Sequence, residues 1–100
     1  MRTLLVTRHP GTIDWFERQG FRVEKVLQHL DIDSVHTGDK VVGNLSIQLA
    51  AEVCEKGGRY FHLEVAVPFE YRGKELSAEL LDEFNAQLSE FKITRVVDGV

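Results

Sequence analysis

One hundred residues, 43% of them hydrophobic, suffice for one domain with its own core and leave no room for a second. A formal net charge of −4 makes the whole molecule repel nucleic acid, so duplex DNA is not an expected partner and any anion must be captured by a local cluster of Lys and Arg. A single thiol, Cys54, rules out an internal disulfide and a thiolate zinc site and fits a reducing compartment. The apolar run at the start is too short for a signal peptide, and nothing approaches the ~18 apolar residues of a membrane span, so a cytoplasmic protein without a membrane partner is expected.

Residues 3–7 form a short apolar, β-branched run that reads as a buried strand, ended by Arg8-His9-Pro10-Gly11. A helix pattern begins at Thr12, with Ile13, Phe16 and Trp15 as inward candidates, Asp14 near the positive helix start and Gly20 as the stop. Residues 21–30 alternate in part and read as a second strand. The Asp-, Ser-, Thr- and Gly-rich stretch 31–40 is a connection into a third strand over 40–42, broken by Gly43-Asn44.

Ser46 is a cap for a helix running to about Lys56, with Ile47, Ala50, Ala51 and Cys54 on one face. Gly57-Gly58 stops it, and 59–67 is the clearest strand, closed by Pro68. After the polar loop 69–75, Ser77 caps a further helix with Leu76 and Leu81 as its hydrophobic staple, and Leu80, Leu81, Phe84, Leu88 and Phe91 line one side of it. The tail 92–100 holds a β-like fragment, 93–97, which reads as an edge strand, an oligomer contact or loose chain. Strands alternating with helices predict a single α/β domain, a Rossmann-like fold with a mainly parallel sheet flanked by helices. Ligands of such sheets sit beyond the carboxyl ends of the strands, which singles out the loops at 7–11, 43–46 and 68–74.

In the first of these, Thr7, Arg8, His9, Pro10 and Gly11 place a guanidinium and an imidazole between a strand end and a helix start, where backbone N–H groups favour anions. The bland reading is a surface arginine and a turn. Asn44 and Ser46 offer hydrogen bonds at the next strand-to-helix turn, although capping is the ordinary work of both. In the third loop Arg72 and Lys74 straddle Gly73, a spacing that lets two cations hold one phosphate; exposed basic loops are also common. His29, Asp31, Asp33, His36 and Asp39 match no compact ligand motif, so no metal and no cofactor is expected. His62 reads as a packed or face-exposed strand residue and Cys54 as an inert core thiol. Arg8-His9 ahead of glycine is close to the Arg-His-Gly signature of histidine phosphatases, but Pro10 intervenes and the chain is shorter than that fold requires.

Taken together, Val6-Thr7-Arg8-His9-Pro10-Gly11 with Trp15, Asn44-Leu45 leading into Leu49-Ala50-Ala51-Glu52-Val53-Cys54, Gly57-Gly58-Arg59-Tyr60, His62-Leu63 and Arg72-Gly73-Lys74-Glu75-Leu76-Ser77 carry a resemblance over nearly the whole chain. The chain resembles a family of small CRISPR-associated proteins encoded beside type III systems and related to ring nucleases. What the resemblance implies is binding and cleavage of cyclic oligoadenylate, cyclic tetra-adenylate first, which would switch off the effectors that this messenger activates. The alternative is a binding protein, a sponge or sensor, that holds the messenger without breaking it.

On that reading each ribose 2′-hydroxyl attacks its own adjacent phosphorus, without a metal, once the two are aligned. Arg8 is expected to stabilise the phosphorane and His9 to act as acid or base. Backbone N–H groups at Gly11 and Thr12 would hold phosphate, and Arg72 and Lys74 would close over the ring. A ligand with internal two-fold symmetry suits a homodimer, with the second helix or the tail as the contact.

Overall fold

The structure, a computed structural model, describes residues 2–96. Its central strands are short apolar runs covered on both sides. β1 (Thr3–Val6) buries Leu4 in one core and Leu5 in the other, and β3 (Lys40–Gly43) divides Val41 and Val42 the same way. This is the near-continuous apolar pattern of parallel strands inside a layered sheet. With β2 (Lys25–Leu27), β4 (Arg59–Glu64) and β5 (Gln87–Phe91) they form one five-stranded sheet in the order β2-β1-β3-β4-β5. β1 pairs in parallel with β2 and β3, β3 in parallel with β4, and β5 runs antiparallel on the edge of β4. The expected α/β fold with a mainly parallel sheet flanked by helices is the fold observed.

The helices α1 (Pro10–Gln19) and α3 (Ala78–Glu83) pack against each other on one face, where Leu5, Trp15, Phe16, Val42, Leu63 and Leu81 make a core. Trp15 and Phe16 are 4% and 2% exposed, and full burial of one such side chain stabilises by about 1.5–3 kcal/mol. On the other face α2 (Ile47–Glu55) covers Leu4, Val41 and Tyr60 through Ala50 and Val53. Both expected serine caps are present: Ser46 Oγ accepts from the Leu49 N–H (3.3 Å) and Ser77 Oγ from the Leu80 N–H (3.2 Å). Gly20 stops α1 in the left-handed conformation, φ 77°.

Several boundaries differ from expectation. α1 starts at Pro10, two residues early, because the fixed φ of proline suits the first helical position. Only Lys25–Leu27 pair within the stretch 21–30, since the Phe21 N–H returns to the Phe16 carbonyl and its ring packs on Trp15 and Phe16. β4 ends at Glu64, and Ala66 instead donates to the Phe84 carbonyl. α3 does not continue to Phe91. Asn85 adopts φ 59°, Ala86 N–H bonds back to the Leu81 carbonyl (2.9 Å), and this Schellman closure turns the chain into β5. In the tail, residues 92–96 carry no regular structure, so the edge strand is β5 instead; the rest of that reading, 97–100, lies outside the described residues.

The strand order 2-1-3-4-5 is that of flavodoxin-like doubly wound sheets, in which the chain reverses direction between β1 and β3 and leaves a crevice at their carboxyl ends. Val6 pairs with Gly43 there, and a Cβ on Gly43 would lie 2.6 Å from the Val6 carbonyl oxygen. Glycine is what lets the two strand ends close on each other.

A basic cleft at the strand ends

A cleft of about 460 Å³ opens at this switch point. Its apolar wall is Leu45, Leu63, Val65, Val67, Leu76 and Leu81, and its polar wall is Thr7, Arg8, His9, Thr12, Gln28, Asn44 and Lys74. Among the described residues no aspartate or glutamate lines it, although the chain has sixteen of them against twelve Lys and Arg. The walls thus offer an anion two permanent cations, an imidazole and neutral donors, beside a surface fit for a flat apolar group.

Each wall is fixed by local structure. The Thr7 hydroxyl accepts from the His9 N–H (3.1 Å) and so shapes the turn between β1 and α1. His9 is the N-cap of α1, but its side chain does not cap; its Nδ1 lies 2.9 Å and 3.2 Å from the two carboxylate oxygens of Glu75. Asn44 donates through Nδ2 to the Leu63 carbonyl (3.1 Å), tying the end of β3 to the end of β4. Beneath it the buried Tyr60 hydroxyl accepts from the Leu45 N–H (3.0 Å) and sits 2.6 Å from His62 Nδ1. Burial pushes the Tyr60 phenol up, with the Leu45 N–H pulling against it, so it stays a neutral pin under the loop.

Of the residues expected at a site, Thr7, Arg8, His9, Thr12, Asn44 and Lys74 come together in the cleft, and Pro10, Gly11, Ser46, Arg72 and Gly73 do not line it. Pro10 opens α1, and Ser46 is spent on its cap. Gly11 packs against backbone, where a Cβ would meet the Leu76 carbonyl oxygen at 1.8 Å. The Thr12 N–H, expected to hold phosphate, donates to the His9 carbonyl (3.1 Å). Arg72 is exposed beyond a 3₁₀ turn at Phe69–Tyr71, and Gly73 supplies the φ of 81° that swings Lys74 round to the cleft.

Two polar residues at or beside the cleft were not singled out from sequence, Gln28 and Glu75. Gln28 follows the last residue of β2, and reading that strand through to residue 30 moved its carboxyl end past it. Glu75 lies one residue beyond the singled-out loop 68–74, and a carboxylate argues against an anion site until its partner is known. Elsewhere, Asp31 Oδ1 accepts from the Asp33 N–H and Asp39 pairs with Arg2, and among the described residues no three His, Cys, Asp or Glu side chains gather where a metal would fit. Cys54 is half-buried, its Sγ accepting from the Ile93 N–H (3.5 Å). Among the same residues no helix is long and apolar enough to cross a membrane.

Fold and cleft together define a doubly wound α/β domain with an anion-suited crevice at its switch point. The chain belongs to the family described as "Putative CRISPR-associated protein (Cas_VVA1548)", whose model matches residues 4–94. No curated protein and no solved structure matches it.

Proposed function

We propose that the chain is a metal-independent ring nuclease, which opens cyclic oligoadenylate, cyclic tetra-adenylate being the first substrate to try, and so silences type III CRISPR signalling. The observation that carries this reading is the cleft itself: Arg8, His9 and Lys74 converge at the switch point of an acidic protein, with no carboxylate among the described residues of its walls. Phosphates suit the cationic side, and an adenine suits the wall of Leu63, Val65 and Val67.

The nucleophile is the substrate's own 2′-hydroxyl, so the protein's work is to align it with phosphorus and the leaving 5′ oxygen, move its proton and stabilise the added charge. His9 takes the proton and Arg8 faces the phosphorane. Lys74 holds a phosphate that is not reacting. A homodimer whose axis passes through the ring would present two such sets to a two-fold symmetric ligand.

Incubation of the protein with cyclic tetra-adenylate in EDTA, followed by chromatography, is expected to give linear products ending in 2′,3′-cyclic phosphate. His9→Ala is expected to slow cleavage about 10²–10⁴-fold and Arg8→Ala about 10²–10³-fold. An intact ring at enzyme excess defeats this reading. If the ring is held tightly and the two variants change affinity alone, the chain is a sponge or sensor.

A further inference from the structure

We propose that Glu75 is a positioning residue of this cleft, which holds His9 in the tautomer that keeps Nε2 free to exchange a proton with substrate. The chemistry it serves rests on the ring-nuclease reading; the orientation of the imidazole does not.

His9 Nδ1 lies 2.9 Å from Glu75 Oε1 and 3.2 Å from Oε2. An ionised carboxylate only accepts, so the hydrogen of a neutral ring sits on Nδ1 and Nε2 carries the lone pair. The bond made by one ring nitrogen decides the role of the other. His9 lines the cleft and Glu75 does not, so the carboxylate reaches the imidazole without becoming a wall of the anion site.

Stability gives no reason for the pair. The two side chains are 59% and 67% exposed, and exposed ion pairs are worth about 0–1 kcal/mol. Capping gives none either, since His9 occupies the N-cap without using its side chain there. The pairing is nevertheless built by backbone. Gly11 has no side chain where the Leu76 carbonyl presses on it, and this contact brings 75–77 against 9–11, so that Glu75 arrives at the ring of His9.

In the reaction the 2′ oxygen bonds to phosphorus as the bond from phosphorus to the 5′ oxygen breaks. The 2′-hydroxyl proton passes to His9 Nε2, the 5′ oxygen takes a proton from water, and the hydroxide so formed recovers the proton from His9 as water. The Glu75 carboxylate lies against the imidazolium that the first of these transfers forms.

Nitrogen-15 spectra of the intact chain are expected to show His9 with a protonated Nδ1 and a bare Nε2. Glu75→Ala shifts the ring toward the Nε2–H form. Glu75→Gln, whose amide oxygen accepts the same bond, retains the original form. With cyclic tetra-adenylate, Glu75→Ala lowers kcat about 10–100-fold while KM stays within about twofold, Glu75→Gln falls between, and the unfolding midpoints of both match the parent. An unchanged tautomer in Glu75→Ala, or an unchanged kcat, overturns the proposal. A parent protein that leaves the ring intact defeats the ring-nuclease reading instead, and the spectra, which need no substrate, still decide whether Glu75 orients His9.

Discussion

Asp39 is 3% exposed, and a carboxylate so placed is costly unless it is paired. Arg2 donates to it through Nε (3.2 Å) and NH2, and the His36 N–H donates to its Oδ2 (2.9 Å). The Arg2 guanidinium, helped by that N–H against the opposing effect of burial, lowers the carboxyl from 3.8 to about 2. A folded-state pKa below the unfolded one means that the native state holds its proton less tightly, so this contribution is complete above pH 3.8 and disappears as pH falls through about 2. The parent is expected to lose on the order of 1–2 kcal/mol between those limits, measured by urea unfolding across the range. Asp39→Asn is expected to start less stable at pH 7 and to have a flatter profile over the same window; an equally steep one would remove Asp39 from this role. Glu79 beside Arg18 and Glu90 beside Arg59 are lowered too, but they are exposed and screened, so their replacement moves the profile less. Asp39 shows why the turn 31–40 resisted reading as a site: its Asp31 and Asp39 carboxylates accept from nearby backbone N–H groups, and Asp39 also holds an arginine 37 residues away, a pairing that no spacing in the chain announces.

The meeting of α1 with α3 depends on Gly11. A side chain there must displace the Leu76 backbone, whereas Gly20 has open space around it and is constrained only by its φ of 77°. Gly11→Ala is therefore expected to cost about 2–3 kcal/mol by overpacking, and Gly20→Ala only about 1 kcal/mol by conformation. Urea midpoints compare the two, and equal losses would contradict the close approach. Trp15 Nε1–H to Asp82 (2.7 Å) and Arg18 to Glu79 (2.8 Å) brace the same helix pair from the far side. Elements with strong end signals were legible from sequence: β1 ends just ahead of Arg8-His9-Pro10-Gly11, α2 ends just ahead of Gly57-Gly58, and both serine caps were visible, whereas Gly43, read as the break after the third strand, is the last paired residue of β3. β5 was not, because Leu81, Phe84, Leu88 and Phe91 satisfy helical spacing while Leu88 and Phe91 also fit opposite faces of a strand. The deciding feature is the left-handed Asn85, and asparagine in a helix pattern is a weak stop signal. The site was legible to the same extent. Strand ends located Arg8, His9, Asn44 and Lys74, but the turn that carries Arg72 away from the cleft depends on the φ of Gly73.

Across the whole molecule, net charge and site charge have opposite signs. Sixteen acids against twelve Lys and Arg repel a polyanion at a distance, so on the proposed function an anionic ring would gain its attraction only within a few ångströms of Arg8, His9 and Lys74. Ring binding should therefore weaken with added salt through the phosphate contacts made in the cleft, the logarithm of affinity falling by about 0.7 per contact for each decade of salt. Lys74→Ala is expected to weaken binding and to flatten that slope by about 0.7 for each contact it removes. Arg72→Ala, although it deletes the same charge two residues away, is expected to leave the slope within error, because Arg72 is outside the cleft walls. Titration of cyclic tetra-adenylate from about 50 to 300 mM salt separates a local cleft from a diffuse surface. If the two variants flatten the slope equally, the ring is held by the general charge of the loop, and the convergence of cations at the switch point does not explain its binding.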